Sequence, residues 1–115
     1  MQPTQHRFPS DAIDEVIGIA QSFEIEWQPF GHAEHLAVVR LAVARYAILR
    51  ADRLQSRLLD ACPDQPARAG SDWLLLLRYR ARAERKFDRA MEDLERLVRD
   101  RSRFLKGPLY SFGDL

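Results

Sequence analysis

Two histidines and an acid near the start of a predicted helix are the residues most suggestive of metal chemistry. His32 and His35 are three positions apart with Glu34 between them, so both imidazoles could face one side of a helix and share an ion. A zinc site needs three or four protein ligands, and no further cluster of His or Cys supplies the rest. We therefore expect ordinary exposed or capping histidines, with no metal and no cofactor bound.

Catalytic motifs are missing from the sequence. It contains no nucleophile elbow, no phosphate-binding glycine loop and no zinc-protease helix motif. Acids of the last predicted helix alternate with arginines, a pattern typical of a solvated face with weak ion pairs. These observations predict a protein that is not an enzyme.

Arginines are better candidates for ligand binding. They make up 16 of the 18 cations, and four of them on the last helix are spaced four, three and four residues apart, along one face. A guanidinium bonds two phosphate oxygens at once, so these residues form a candidate phosphate-binding surface together with a second set on the preceding helix. The candidate residues are Arg78, Arg82, Arg85, Arg89, Arg50, Arg53 and Arg57. The net charge of only +1 and the lack of a helix-turn-helix favour the alternative, a solvated arginine-rich surface.

Apolar residues at helical spacing predict three helices that carry these side chains. Helix 1 spans about 10–26, helix 2 about 32–62 and helix 3 about 71–105, and Pro63 and Gly107-Pro108 end the last two. The predicted seam of helix 2 begins with Leu36, Val39 and Val43, and its alanines allow close approach of another helix. The seam of helix 3 runs from Trp73 and Leu77 through Phe87, Met91, Leu94 and Val98 to Leu105. The residues that widen this stripe are Leu76, Ala83, Ala90, Leu97 and Phe104.

Short connections between these helices predict an all-α fold, an up-down-up antiparallel three-helix bundle in a single domain over 1–115. Residues 1–9 are expected to form an extended arm. Residues 106–115 are expected to form a tail, whose Tyr110 and Phe112 could fold back beside Trp27 and Phe30.

Helix 1 is about half as long as the other two, so we expect it to lie along the first half of helix 2 and the second half of helix 3. The far tip of the helix 2–helix 3 hairpin is then bare, although it is rich in leucine. An exposed apolar patch of this kind marks an interface, so the sequence predicts a homodimer through the tip, with the tail, the arm or another protein as alternative covers. The candidate interface residues are Leu54, Leu58, Leu59, Trp73, Leu74, Leu76 and Leu77.

Composition indicates a soluble, cytoplasmic protein. Apolar residues make up 46% and charged residues 30%, and no apolar run is long enough for a membrane span. Cys62 is the only cysteine, which suits a reducing compartment, and the first ten residues lack a secretion signal. Charge is segregated, with a net −5 over residues 1–35 and +6 over 36–115.

Helix 3 also carries a family resemblance in Leu77-Arg78-Tyr79, Glu84-Arg85, Phe87, Arg89-Ala90, Leu94 and Arg96-Leu97. With Gln28-Pro29, Glu34, residues 41–50 and Leu58-Leu59-Asp60, these residues resemble a family of small, arginine-rich, all-helical bacterial proteins of unknown function, often near mobile elements. The chain departs from that pattern at Tyr46, Gln55 and Arg80. The resemblance implies a helical fold and a mobile-element setting.

Taken together, the sequence predicts an interaction or adaptor protein that presents helical surfaces to a protein partner and self-associates through the hairpin tip. The alternative function is a nucleic-acid backbone binder that uses the arginines of helices 2 and 3.

Overall fold

The computed structural model describes residues 10–61 and 70–106, and these form three helices. They are α1 (Ser10–Trp27), α2 (Gly31–Ala61) and α3 (Ser71–Lys106), and no strand occurs within those two ranges. The predicted all-α bundle is confirmed, with helix ends within one residue of those expected. Predictions that concern the arm, Cys62, the tail and its residues Tyr110 and Phe112 fall outside the described residues.

Backbone geometry explains how the turns between helices form. The N–H of Gln28 donates to the carbonyl of Glu24 at 2.8 Å and closes the last turn of α1, and Gln28 has a φ of 47°. Such a left-handed conformation reverses the chain after a helix, and Pro29 prevents the helix from continuing. Gly31 opens α2 with a φ of 84°, a value that a residue with a Cβ adopts only under strain.

Two polar contacts set the register between α2 and α3. Arg101 donates to Glu34 at 2.8 Å near one end of the pair, and Arg80 donates to Gln55 at 3.2 Å near the other. From the first contact to the second, the residue number rises from 34 to 55 on α2 and falls from 101 to 80 on α3. The two helices are therefore antiparallel. Both contacts fit a seven-residue repeat. Glu34 and Gln55 are 21 residues apart on α2, which is three heptads, and Arg80 and Arg101 are separated by the same number on α3.

Apolar residues fill the layers between those two polar contacts. The same register places Leu41 opposite Leu94 and Ile48 opposite Phe87. Leu41 and Leu94 are fully buried in the largest apolar cluster, and Phe87 packs against it. The α2–α3 pair is therefore a short antiparallel coiled coil with a polar layer at each end.

Alanines line the contact beside this seam, which corrects the predicted core of α2. Leu36, Val39 and Val43 were expected to be core residues, but they are 39%, 47% and 51% exposed. The residues that face α1 or α3 are instead mostly small. An alanine places only a Cβ between two helix backbones, so the helices can pack closely there. The buried alanines of α2 and α3 are Ala37, Ala42, Ala44, Ala51, Ala83 and Ala90.

The buried side of α3 consists mainly of the residues that were predicted to widen its seam. Leu77, placed in that seam, is 43% exposed, whereas Leu76 is buried at 7%. The buried stripe runs through Leu76, Ala83, Ala90 and Leu94, which recur at intervals of seven, seven and four. Phe87, Met91 and Val98 of the predicted seam are partly buried and pack against the core cluster.

Helix α1 packs on α2 and runs antiparallel to it. Arg53 donates two hydrogen bonds to the carboxylate of Glu15, and His35 Nδ1 lies 3.5 Å from a carboxylate oxygen of Glu24. No Cα atom of α1 comes within 8 Å of a Cα atom of α3, so the expected lateral contact of helix 1 with helix 3 is looser than predicted. Only the end of α1 reaches the shared core, where Phe23 and Trp27 pack against it.

Candidate interaction surfaces

The tip of the α2–α3 hairpin is an apolar surface with a shallow depression, here called the tip depression. Its volume is about 390 Å³, and its walls come from the end of α2 and the start of α3. It is lined by Leu54, Arg57, Leu58, Asp72, Leu75, Leu76 and Tyr79. Leu74, Leu75 and Leu77 are 57%, 58% and 43% exposed. Three leucines at that exposure within about one turn leave much apolar area in contact with water.

The seven predicted interface residues divide into two groups. Leu59, Leu74 and Leu77 are exposed, while Leu54, Leu58 and Trp73 are half-buried. Leu76 is buried between the two helices, so it supports the tip from within and is not available to a partner. Leu75, which the prediction omitted, is the most exposed leucine of α3 whose burial is described.

Helix α1 does not cover the α3 side of the tip, because no Cα atom of α1 comes within 8 Å of a Cα atom of α3. Among the described ion pairs and hydrogen bonds between α1 and α2, the pair of Glu15 with Arg53 lies nearest the end of α2. The leucines at 54, 58 and 59 follow Arg53 in the chain. The Arg53 hydrogen bond lowers the pKa of Glu15, with a further contribution from the charge of Arg53, against the opposing effect of partial burial. The pair therefore stays ionised at neutral pH and links the first half of α1 to the second half of α2.

A second apolar depression runs along the α2–α3 pair on the side of α2 that carries Val39 and Val43, and is here called the side groove. Its main part has a volume of about 480 Å³ and adjoins a smaller part of about 160 Å³. The two parts share Arg40, Ala90 and Asp93. Apolar lining residues include Leu36, Val39, Val43, Ala47, Tyr79, Ala83 and Leu97.

Charged side chains along the side groove are mostly basic. Arg40, Lys86, Arg89 and Arg96 line it, and Asp93 is the acid among its lining residues. Arg96 contacts that acid at 3.2 Å, which offsets one of the positive charges and leaves three cations around the main part of the groove. The groove thus combines an apolar floor with a positively charged rim.

The predicted phosphate-binding arginines lie on both α2 and α3. Arg78, Arg82, Arg85 and Arg89 are exposed on α3, where Arg89 also lines the side groove, and Arg57 lines the tip depression. Arg50 is exposed on α2, and Arg53 is engaged by Glu15.

Sequence reasoning missed the most enclosed polar group, the carboxylate of Glu34. Its side chain is only 5% exposed, and it accepts hydrogen bonds from the Phe30 N–H at 3.0 Å and from Arg101 Nε at 2.8 Å. The Arg101 guanidinium also lies 5.9 Å from the centre of the Phe30 ring. This contact ties the α1–α2 turn to the second half of α3. An acid four residues after a helix-breaking turn was the available signal, since it can cap the new helix.

Competing effects act on the pKa of Glu34. Burial raises it, but the hydrogen bonds from Arg101 and from the Phe30 N–H, with the charges of Arg101 and His35, outweigh burial and lower the pKa overall. The carboxylate is therefore charged at neutral pH and serves a structural purpose. Nearby, Trp27 Nε1 is buried and has no hydrogen-bond partner among the described residues.

The predicted histidine pair is exposed and does not form a ligand cluster with Glu34. Glu34 is turned toward Arg101, while His35 lies beside Glu24 on α1. Within 10–61 and 70–106, no three His, Cys, Asp or Glu side chains lie close enough together to hold a metal ion. None of the three described helices combines the length and apolar content needed to cross a membrane.

Comparison of the chain with protein-family models, with curated proteins and with solved structures finds no significant match. The resemblance to small arginine-rich helical proteins therefore stays a prediction, as does the cytoplasmic location. The function proposed below rests on the surfaces of the molecule.

Proposed function

We propose that this protein is a non-enzymatic interaction module that self-associates through the hairpin tip and presents helical surfaces to a protein partner. The observation that carries the proposal is the exposure of Leu74, Leu75 and Leu77 at the start of α3, where Leu75 also lines the tip depression. No Cα atom of α1 comes within 8 Å of a Cα atom of α3, so α1 does not cover these leucines of α3. A two-fold partner brings the same leucines from a second copy and forms a local four-helix bundle.

Symmetry makes the effect of one substitution large. Full burial of a leucine side chain contributes about 1.5–3 kcal/mol, so burial of the exposed 58% of Leu75 contributes about 1–2 kcal/mol for each protomer. A two-fold interface contains the residue twice. Leu75→Glu therefore removes about 2–4 kcal/mol, which weakens the dimer roughly 30-fold to 1,000-fold before charge repulsion is added.

Light scattering at tens of micromolar protein tests the proposal. The wild type is expected at twice the 13.4 kDa of one chain, and Leu75→Glu at the mass of one chain. Ile25→Glu is the matched control, because Ile25 is 78% exposed on α1 and does not line the tip depression. Leu75 is preferable to the half-buried Trp73, since its replacement leaves the fold of the monomer intact. A monomeric wild type, or equal effects of the two variants, would contradict tip-mediated association.

The alternative function, binding to a nucleic-acid backbone, is supported by Arg78, Arg82 and Arg85. They are exposed, and none forms an ion pair with a described side chain. Titration of a duplex and a single strand at two salt concentrations tests it. Phosphate contacts predict affinity that falls steeply with salt and is lost in Arg82→Glu with Arg85→Glu. Salt-independent binding, or binding that survives this double substitution, would rule the alternative out.

A further inference from the structure

We infer that the side groove is a binding site for an acidic amphipathic helix of a partner protein. This inference deepens the proposed function and rests on it, because it assigns the partner-binding surface of the interaction module. The site lies between α2 and α3 and meets the tip depression at Tyr79, but none of the tip leucines lines it. Three features of the groove select this occupant, namely its floor, its length and the sign of its charge.

The apolar floor favours a helix over an extended chain or a phosphate backbone. Leu36, Val39 and Val43 recur at intervals of three and four on α2 and are 39%, 47% and 51% exposed. Apolar side chains at that spacing match the ridges of a helix packed alongside. Small residues at Ala47, Ala83 and Ala90 leave room between the helices for the side chains of an incoming helix.

The length of the groove suits a helix of about four turns. Its α2 wall extends from Ala33 to Ala47, which is about 21 Å at 1.5 Å per residue. A partner helix of about 14–18 residues covers that distance with apolar residues on one face. Recognition of an amphipathic helix by an apolar groove of this kind is a common mode of peptide binding.

The charge of the rim identifies the helix as acidic. Four cations and one acid line the groove, a net charge of +3. The same groove on a second copy would bring two positive rims together, so pairing groove to groove is disfavoured. An acidic helix is attracted instead, and its carboxylates can pair with Arg40, Lys86 and Arg89 around the apolar contact.

The molecule already contains one example of this packing. Helix α1 has five acids and no Lys or Arg, and it lies on another side of the same α2. There the apolar contact is flanked by the pairs Glu15–Arg53 and Glu24–His35. The side groove offers the same combination of apolar surface and flanking cations, but it has no helix bound to it within the described chain.

Selection from a displayed peptide library tests the inference. The library consists of helical peptides of about 18 residues with a fixed apolar seam and with Glu, Lys, Gln or Ser at the other positions. The Leu75→Glu variant is used as bait, so that the outcome does not depend on self-association. Acidic peptides are expected to be enriched on this bait. Lys86→Glu with Arg89→Glu should reverse the preference toward lysine-rich peptides.

A matched control separates the groove from general charge. Arg82→Glu with Arg85→Glu makes the same change in net charge on α3, but neither residue lines the groove. An enriched acidic peptide should bind at least tenfold more weakly to the groove variant and unchanged to the control. No charge preference in the selection, or equal weakening by the two variants, would overturn the inference.

Two competing occupants are distinguished in the same assay. A synthetic peptide of residues 10–27 that displaces the selected peptide and binds as tightly would assign the groove to α1 of a second copy. A duplex oligonucleotide that displaces it through the same residues would assign the groove to phosphate. Either result overturns the partner-helix inference. If the selection fails and the wild type is a dimer, the groove inference is overturned and association through the tip is retained. If peptides bind and the wild type is a monomer, association through the tip is overturned and the groove inference is retained.

Discussion

Replacement of Glu34 by Gln is expected to destabilise the protein strongly without a change of shape. The carboxylate is 5% exposed and accepts one bond from the Phe30 N–H and one from Arg101. Glutamine keeps an oxygen for only one of these donors and turns an amide NH₂ toward the other. It also removes the negative charge that compensates Arg101, whose side chain is 28% exposed.

The magnitude follows from the burial of the two partners. Breaking a fully buried ion pair costs about 3–5 kcal/mol, and a hydrogen bond to a charged group contributes about 1.5–3 kcal/mol. Because Arg101 keeps access to water, we expect a loss of about 2–3 kcal/mol in the free energy of unfolding. For a domain of this size that corresponds to a fall of roughly 10–20 °C in Tm.

Urea denaturation followed by circular dichroism measures the loss, and a double-mutant cycle assigns it. Arg101→Met should also destabilise the protein, and the double variant should lose less than the sum of the two single losses. Additive losses would show that the two side chains do not interact.

The dependence on pH gives a second check on the same contact. The pKa of Glu34 is lowered in the folded protein, so its stabilising contribution is present above the unfolded-state pKa, about 4.5. It is lost as the pH falls from there through the lower folded-state pKa. The stability difference between wild type and Glu34→Gln should therefore shrink in acid. A difference that is below about 0.5 kcal/mol at pH 7, or that persists unchanged in strong acid, would refute this reasoning.

Further substitutions test the packing and the turns. Ala51→Leu should lower the free energy of unfolding by about 1–3 kcal/mol in urea denaturation, because Ala51 is fully buried and a larger side chain overpacks the contact. Ala33→Leu, at an exposed position of the same helix, is the control and should have little effect. Gln28→Gly should raise the free energy of unfolding by about 0.5–1 kcal/mol, since Gln28 has a φ of 47° that glycine adopts without strain. Gly31→Ala should lower it by about 1 kcal/mol for the corresponding reason, and a stabilised alanine variant would contradict the backbone geometry at that turn.

The fold was predictable because local signals agree with one another. Ser71 and the absence of Gly and Pro between Asp72 and Lys106 predicted α3 to within one residue of its end. The short loop that contains Pro29 and Gly31 likewise predicted the reversal between α1 and α2. Such signals depend on a few neighbouring residues, so they can be read without knowledge of tertiary contacts.

The buried faces were less predictable, since periodicity alone does not say which apolar stripe faces another helix. On α2, the stripe through Val39 and Val43 and the stripe through Ala37 and Ala44 both have helical spacing. Larger side chains suggested the first stripe, but the small ones are buried because they permit closer packing. The pairing of Glu34 with Arg101 was inaccessible for another reason, as it depends on a contact 67 residues apart in the chain.

The polar layers at the two ends of the α2–α3 pair also determine which alignments the helices avoid. A seven-residue period lets one helix slide by a full repeat and still bury a similar apolar area. One such slide brings Glu34 opposite Leu94 and Arg80 opposite Ile48, and the reverse slide brings Arg101 opposite Leu41 and Gln55 opposite Phe87. Each offset separates Glu34 from Arg101 and Arg80 from Gln55, and places a charged or polar group against a hydrocarbon side chain. Near-degenerate alignments are thereby separated in energy, and the groove beside the pair keeps a single arrangement of residues.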